Sequence, residues 1–186
     1  EPEKPSNPEK PEVKVASVKL AKTSYVYDGK VKKPAVVAKN NKGEKITSKD
    51  YTVKYAAGCK NVGTYTVKII FKGDYKGTFT KAFNINPKGT SFSKVKAARK
   101  SFSATWKKQS KQTSGYQLQY STNKKFAKAV KTSTISKNTT VKKTVKKLSA
   151  KKTYYVRVRT YKNVKVGKKT VKLYSGWSKV KAVKIK

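Results

Sequence analysis

Six residues in the C-terminal half have the side chains and spacing of a binding face. Gln117 and Gln119 stand two apart in GYQLQYSTN, and Tyr155, Arg157, Arg159 and Tyr161 alternate through TYYVRVRTY. Residues two apart on an extended strand share a face, so each set points one way. Tyrosine rings and guanidinium planes offer stacking surfaces, and amide and guanidinium groups offer hydrogen bonds. The chemistry is recognition of a sugar or an acidic peptide. The competing reading is that amphipathic Tyr and Arg on a sheet serve only as cross-strand pairs.

Other reactive groups are sparse. The one cysteine, Cys59, lies in the turn-rich stretch AAGCKNVG beside lysine, where a thiol could be reactive or pair with another chain; an incidental small residue is the plainer expectation. Lysine joined to Asn or Asp through an isopeptide bond would need a carboxylic acid beside it. Beyond the first twelve residues the only acids are Asp28, Glu44, Asp50 and Asp74, and residues 75–186 have none. There is no histidine, so no imidazole base or metal ligand exists. No glycine-rich phosphate loop, metal spacing or catalytic dyad is present. The expectation is a chain that is not an enzyme, with no catalytic residues, no metal and no cofactor.

Charge is the strongest signal. The 186 residues hold 48 Lys and Arg against 8 Asp and Glu, a net +40, and residues 88–186 hold 30 of the cations with no side-chain carboxylate. Lysine on a strand's outer face keeps it solvated and deters edge pairing, which explains lysines one by one. It does not explain the missing acids, because 30 unopposed cations repel each other and attract any polyanion. Only Arg99, Arg157 and Arg159 among the cations are arginine. Sequence-read nucleic acid favours bidentate arginine, so point-charge binding, steeply weakened by salt, is the expectation, and specific nucleic acid is not.

These groups need a β scaffold. Twenty-one Val, 19 Thr and 12 Tyr against 4 Leu is a strand vocabulary, and it alternates with Lys, as in VKAVKIK at the C-terminus. Residues 1–12, EPEKPSNPEKPE, read as a Pro/Glu-rich linker. A break at NPKGT, residues 86–90, divides 13–87 from 88–186. Strands are predicted over 13–20, 31–38, 51–55, 64–71 and 78–85, then over 93–97, 101–107, 116–121, 129–134, 140–145, 153–161, 170–174 and 180–186. Residues 123–128 could form a short helical turn at most. The fold class is all-β, two tandem immunoglobulin-like Greek-key β-sandwiches. No run of about 18 apolar residues spans a bilayer, and the chain reads as an excised or mature fragment.

Several of these residues also carry a family likeness. Residues 88–186 resemble a fibronectin type III domain: Trp106 in SFSATWKK matches a core tryptophan, GYQLQYSTN a third strand, Leu148 and Tyr154 in LSAKKTYYVRVRTY the family's leucine and tyrosine corner, and Ser175, Trp177 and Ser178 the run into the last strand. That resemblance implies that Trp106, Leu148, Tyr154, Val156 and Val158 are core. It also makes the Gln117 and Arg157 strands neighbours, so that all six candidate residues would face outward together. The Arg-Gly-Asp tripeptide of integrin ligands is absent. Residues 13–87 resemble the small immunoglobulin-like modules of Gram-positive surface proteins, through YVYDGK and through Asp50, Tyr51, Gly63, Thr64, Tyr65, Gly73, Tyr75, Gly77, Thr78 and Phe83.

Together the two resemblances imply an extracellular fragment attached to the cell surface or wall of a Gram-positive bacterium. The expected function is that of a monomeric adhesion or spacer segment whose lysine-rich domain contacts an anionic partner. That partner would be a cell-wall polymer such as teichoic acid, or a sulfated or sialylated host glycan. The alternative is a carbohydrate-binding accessory module of a larger secreted hydrolase, working through the Tyr155 and Tyr161 face.

Overall fold

A computed structural model describes residues 12–186; apart from Glu12, the linker expected over 1–12 lies outside the described residues. The elements run Val15–Leu20 (β1), Ser24–Val26 (β2), Val36–Asn40 (β3), Lys45–Ile46 (β4), Tyr51–Tyr55 (β5), Gly63–Phe71 (β6), Thr78–Asn86 (β7), Phe92–Ala98 (β8), Ser101–Trp106 (β9), Gly115–Ser121 (β10), Lys131–Ile135 (β11), Lys142–Val145 (β12), Thr153–Val166 (β13), Lys169–Tyr174 (β14) and Lys181–Lys184 (β15). One 3₁₀ turn, Ser48–Asp50, is the only helical element among the described residues. The protein is all-β, as its alternation of Val, Thr and Tyr with Lys requires.

Contacts group the chain into two compact units. One contains the described residues up to Thr23 with Lys33–Ala57 and Tyr65–Phe83; the other contains Ser24–Lys32, Gly58–Thr64 and Asn84–Lys186. β1, β3 and β4 form one sheet, and β2, β7, β6 and β5 another. In the first unit Phe71 gathers the rings of Tyr51, Phe79 and Tyr75 at 5.5, 5.6 and 6.4 Å. The strand predicted over 31–38 begins instead at Val36. Pro34 supplies no ladder N–H and forces its predecessor into an extended or turn geometry, and its carbonyl accepts from the Tyr55 hydroxyl at 2.9 Å.

The second unit holds a β-sandwich. One sheet orders β12-β9-β8; the other orders β11-β10-β13-β14, with β15 also paired to β13. β12 returns to β9 across the intervening β10 and β11, and β13 lies beside β10, the crossovers of a Greek key. Phe102, Ala104, Trp106, Tyr116, Leu118, Val156 and Val158 fill the space between the sheets at 2 % exposure or less. Leu148 is buried with them, and Tyr154 packs against the cluster half-buried. The Tyr154 hydroxyl accepts from the Ser149 N–H at 3.4 Å, so the corner expected from LSAKKTY is formed.

Several strand ends differ from expectation by a residue or two, as at β1, β12 and β15, and two differences have a local cause. β13 continues past Tyr161 to Val166, because Gly167 at φ +60° permits a two-residue turn and Val164 and Val166 pair with Val171 and Lys169. β11 starts two residues late, at Lys131, because Ala129 adopts φ +53°. Residues 123–128 form no helix; Asn123 Oδ1 accepts from the Lys125 and Ala127 N–H groups and holds a turn.

Candidate ligand face

β10 and β13 are hydrogen-bonded neighbours in register Gln117↔Arg159 and Gln119↔Arg157. Alternation sends Leu118, Val156 and Val158 inward and leaves the two Gln and two Arg on the opposite face, half-buried. The six candidate residues therefore share one side of the sheet. Their polar atoms, however, are turned on one another. Arg157 donates from Nε and Nη2 to Gln119 Oε1 at 3.0 and 2.7 Å, and Arg159 donates likewise to Gln117 Oε1 at 2.9 and 2.6 Å. Gln119 Nε2 in turn donates to Thr132 Oγ1 at 3.1 Å.

The guanidinium planes are covered as well. Arg157 lies 4.1 Å from the ring centre of Phe126 and 4.4 Å from that of Trp177; Arg159 lies 4.2 Å from Trp177 and 3.7 Å from Tyr174. Arginines two apart on a strand are separated by about 6.8 Å, room for one ring between two planar cations. The result is a stack ordered Phe126, Arg157, Trp177, Arg159, Tyr174. Burial lowers both guanidinium pKa values from their usual level, and for Arg159 the neighbouring Tyr174 works the other way. No carboxylate is needed to house these charges, because ring faces and amide oxygens surround them.

Tyr161 corrects the expectation of an outward ring. It lies on the predicted side of β13 but is 2 % exposed, packed 6.1 Å from Tyr174 and hydrogen-bonded through its hydroxyl to the Ile135 carbonyl at 3.4 Å. Burial pushes its phenol pKa up. It pairs across the ladder with Gly115, where an added Cβ would stand 2.9 Å from the Tyr161 hydroxyl and 2.0 Å from the Ile135 carbonyl oxygen. A tyrosine beside a glycine thus covers exposed backbone and is itself covered. Tyr155, paired with Ser121 and Ala182, stays half-buried at the other end of the row.

Phe126, Tyr174 and Trp177 complete the arrangement and were not among the predicted residues. Trp177 was visible in SGWS, but only pairing distances reveal that it enters between the arginines. Phe126 has φ +55° in an irregular turn and carries no periodic signal. Cys59 is buried, more deeply than an incidental or half-buried residue would be.

Residues 86–175 match the model of the fibronectin type III domain. The match takes in β8 to β14 and both arginines, while Trp177 and β15 follow it in the chain. Among solved structures, the chain is similar to chicken CNTN1 FN1-FN3 domains at 19 % identity and a TM-score of 0.42, covering 68 % of this chain and 44 % of that one. The chain thus spans under half the length of that relative. No curated protein sequence matches it. No helix among the described residues is long and apolar enough to cross a membrane.

Proposed function

We propose that the chain is a non-enzymatic extracellular segment of a Gram-positive surface protein, an immunoglobulin-like module over 13–87 followed by the type III domain, and that the latter holds it against anionic wall or host polymer. The type III match supports a module of the adhesion kind. The observation that carries the polyanion reading is the charge: 30 cations and no side-chain carboxylate in residues 88–186. Their distribution adds to it, because most of these lysines, on strands and in turns alike, are exposed while Val, Phe and Trp fill the interior. Only two ion pairs occur among the described residues, Lys14 with Glu12 and Lys32 with Asp28, so the lysines after residue 87 remain available to an external anion.

The sugar-binding alternative draws less support. Both Gln carbonyls and both Arg planes are engaged within the face, and the Tyr161 ring is covered. Retention on purified Gram-positive cell walls tests the proposal. Binding at low salt that fades between about 50 and 200 mM NaCl supports it. Salt-insensitive binding to a neutral glycan, abolished in Tyr155→Ala, would instead favour the carbohydrate module.

A further inference from the structure

The two outer faces of the type III sandwich differ in kind. On β10–β13 the arginine and aromatic stack closes the surface on itself. The outer face of β12-β9-β8 is open, and its register is informative. Lys94, Thr105 and Lys142 stand in one cross-strand row, and Lys96, Ser103 and Thr144 in the next. Their inward neighbours Ala104, Phe102 and Val145 are buried in the core, which fixes these six on the solvent side. The central strand therefore offers a floor of two small hydroxyl residues. Long lysines rise beside it, from β8 on one flank and β12 on the other.

Geometry narrows what can lie there. Flanking strands are about 10 Å apart and residues two apart on a strand are about 6.8 Å apart, so the floor is a shallow trough with two cations along its β8 flank and one on its β12 flank. The six residues include no aromatic side chain, so a base or a sugar ring finds no stacking platform. A slender chain with a charge on every repeat and hydroxyl or ester oxygens between would meet lysine at its anions and Ser103 and Thr105 at its oxygens. No acid in the domain competes for the lysines.

We infer that the outer face of β12-β9-β8 is a track for a linear phosphodiester polymer of an open-chain polyol, lying along β9 between Lys94 and Lys96 on one flank and Lys142 on the other. The inference rests on the polyanion reading and adds a place and a ligand class to it. Phosphate is held by point charges, which suits lysine, and the small floor admits the chain itself.

The test uses the full chain and synthetic poly(glycerol phosphate), with heparin and duplex DNA as comparison ligands. Lys94→Gln/Lys96→Gln/Lys142→Gln is compared with Lys165→Gln/Lys168→Gln/Lys169→Gln, which removes three exposed lysines from the β13–β14 turn and so alters net charge equally. The track variant should bind poly(glycerol phosphate) at least about tenfold more weakly. It should also lower the salt slope of log K by about 2, because each phosphate neutralised on a flexible strand adds about 0.7 and three lysines are removed; the turn variant should leave the slope nearly unchanged. Ser103→Glu, which puts one carboxylate on the floor, should weaken binding without touching a lysine. Thermal melts of each variant separate lost binding from lost folding. Equal weakening by both triple variants overturns the track but leaves diffuse polyanion attraction standing. Heparin or DNA binding that exceeds poly(glycerol phosphate) binding and depends on the track overturns the ligand class. Failure of the unaltered chain to bind any of the three overturns the polyanion reading itself.

Discussion

Arg159 stands 4.2 Å from the centre of the Trp177 ring, and its strand companion Arg157 stands 4.4 Å from the same ring. Two cations share one indole, in a stretch, residues 75–186, that contains no side-chain carboxylate. The face of the indole carries negative quadrupole density on both sides, so a single ring can serve two guanidinium groups. Gln117 and Gln119 fix their in-plane orientation from the neighbouring strand.

Trp177→Ala should therefore cost more than a half-buried aromatic ordinarily would. Loss of packing and of two cation–π interactions predicts a destabilisation of about 2–4 kcal/mol, read by urea denaturation. Trp177→Phe should recover part of it, since a smaller ring still has two faces. Equal losses in the two variants would show that stacking on Arg157 and Arg159 contributes nothing beyond the indole's own burial.

Gly115 predicts a loss from a smaller change. A methyl there would meet the Ile135 carbonyl oxygen at 2.0 Å and the Tyr161 hydroxyl at 2.9 Å, and the first obstacle is backbone of the paired strand. Gly115→Ala should push β11 away from β10 and destabilise by about 1–3 kcal/mol, the range common to overpacking, and by more if strand pairing breaks. Hydrogen exchange should accelerate first at Tyr116 and Ile135. An Ala variant of unchanged stability would show that β11 shifts freely.

Why some of this was legible in the sequence and some was not follows from range. Leu118, Val156 and Val158 alternate with polar residues, and that period alone sends them inward and Gln117, Arg157 and Arg159 outward. Alternation says nothing about what arrives from elsewhere in the chain. Phe126 comes from a turn and Trp177 from the irregular run before β15, and both reach the face only through tertiary packing. Tyr161 has the predicted side but not the predicted exposure, because Tyr174 packs beside it and Gly115 leaves it room to settle. The short β2 and β4 had no period to read: β2 has three residues and β4 two. β2 is also parallel to β7, with Tyr25 opposite Ile85, a pairing no local turn signals.

Tyr116 links the core to the loops at one end of the sandwich. Its hydroxyl accepts from the Gln109 N–H at 2.8 Å and donates to the Asn138 carbonyl at 2.9 Å, while burial pushes its pKa up. Tyr116→Phe preserves the ring beside Trp106 but leaves the Gln109 N–H without this acceptor, predicting a loss of about 1–3 kcal/mol by denaturant unfolding. The same variant should abolish any high-pH destabilisation that ionising this phenol produces.

Asp28 predicts an acid-side dependence. Its carboxylate accepts from Lys32 Nζ and, at 2.8 Å, from the Lys30 N–H, and these two hydrogen bonds hold its pKa below the usual 3.8. A carboxylate lowered on folding adds stability above its unfolded pKa and loses it as pH falls through the folded one. The Tm difference between the protein and Asp28→Asn should thus be constant from pH 7 to about pH 5 and shrink below about pH 4. A difference that stays constant down to pH 2 would show that the Lys32 pairing does not persist in solution.

Salt should stabilise this protein, the reverse of what surface ion pairing produces. Attractive pairs lose strength when screened, and among the described residues only Lys14–Glu12 and Lys32–Asp28 are formed. Against them stand 48 cations and 8 acids, most of the excess after residue 87. Folding brings those lysines from an extended chain into one compact surface, so repulsion is greater in the folded state than in the unfolded one. Raising ionic strength from 0.01 to 0.15 M shortens the Debye length from about 30 to about 8 Å, comparable with the spacing of neighbouring strands' lysines. Tm should rise over that range by on the order of 4 °C, with sodium chloride and potassium chloride alike, if relief of repulsion is worth about 1 kcal/mol. Inorganic phosphate at matched ionic strength should raise it further if the lysine faces bind anions rather than merely tolerate them. A Tm that is flat or falls with salt would mean that the unfolded chain feels the same repulsion as the folded one.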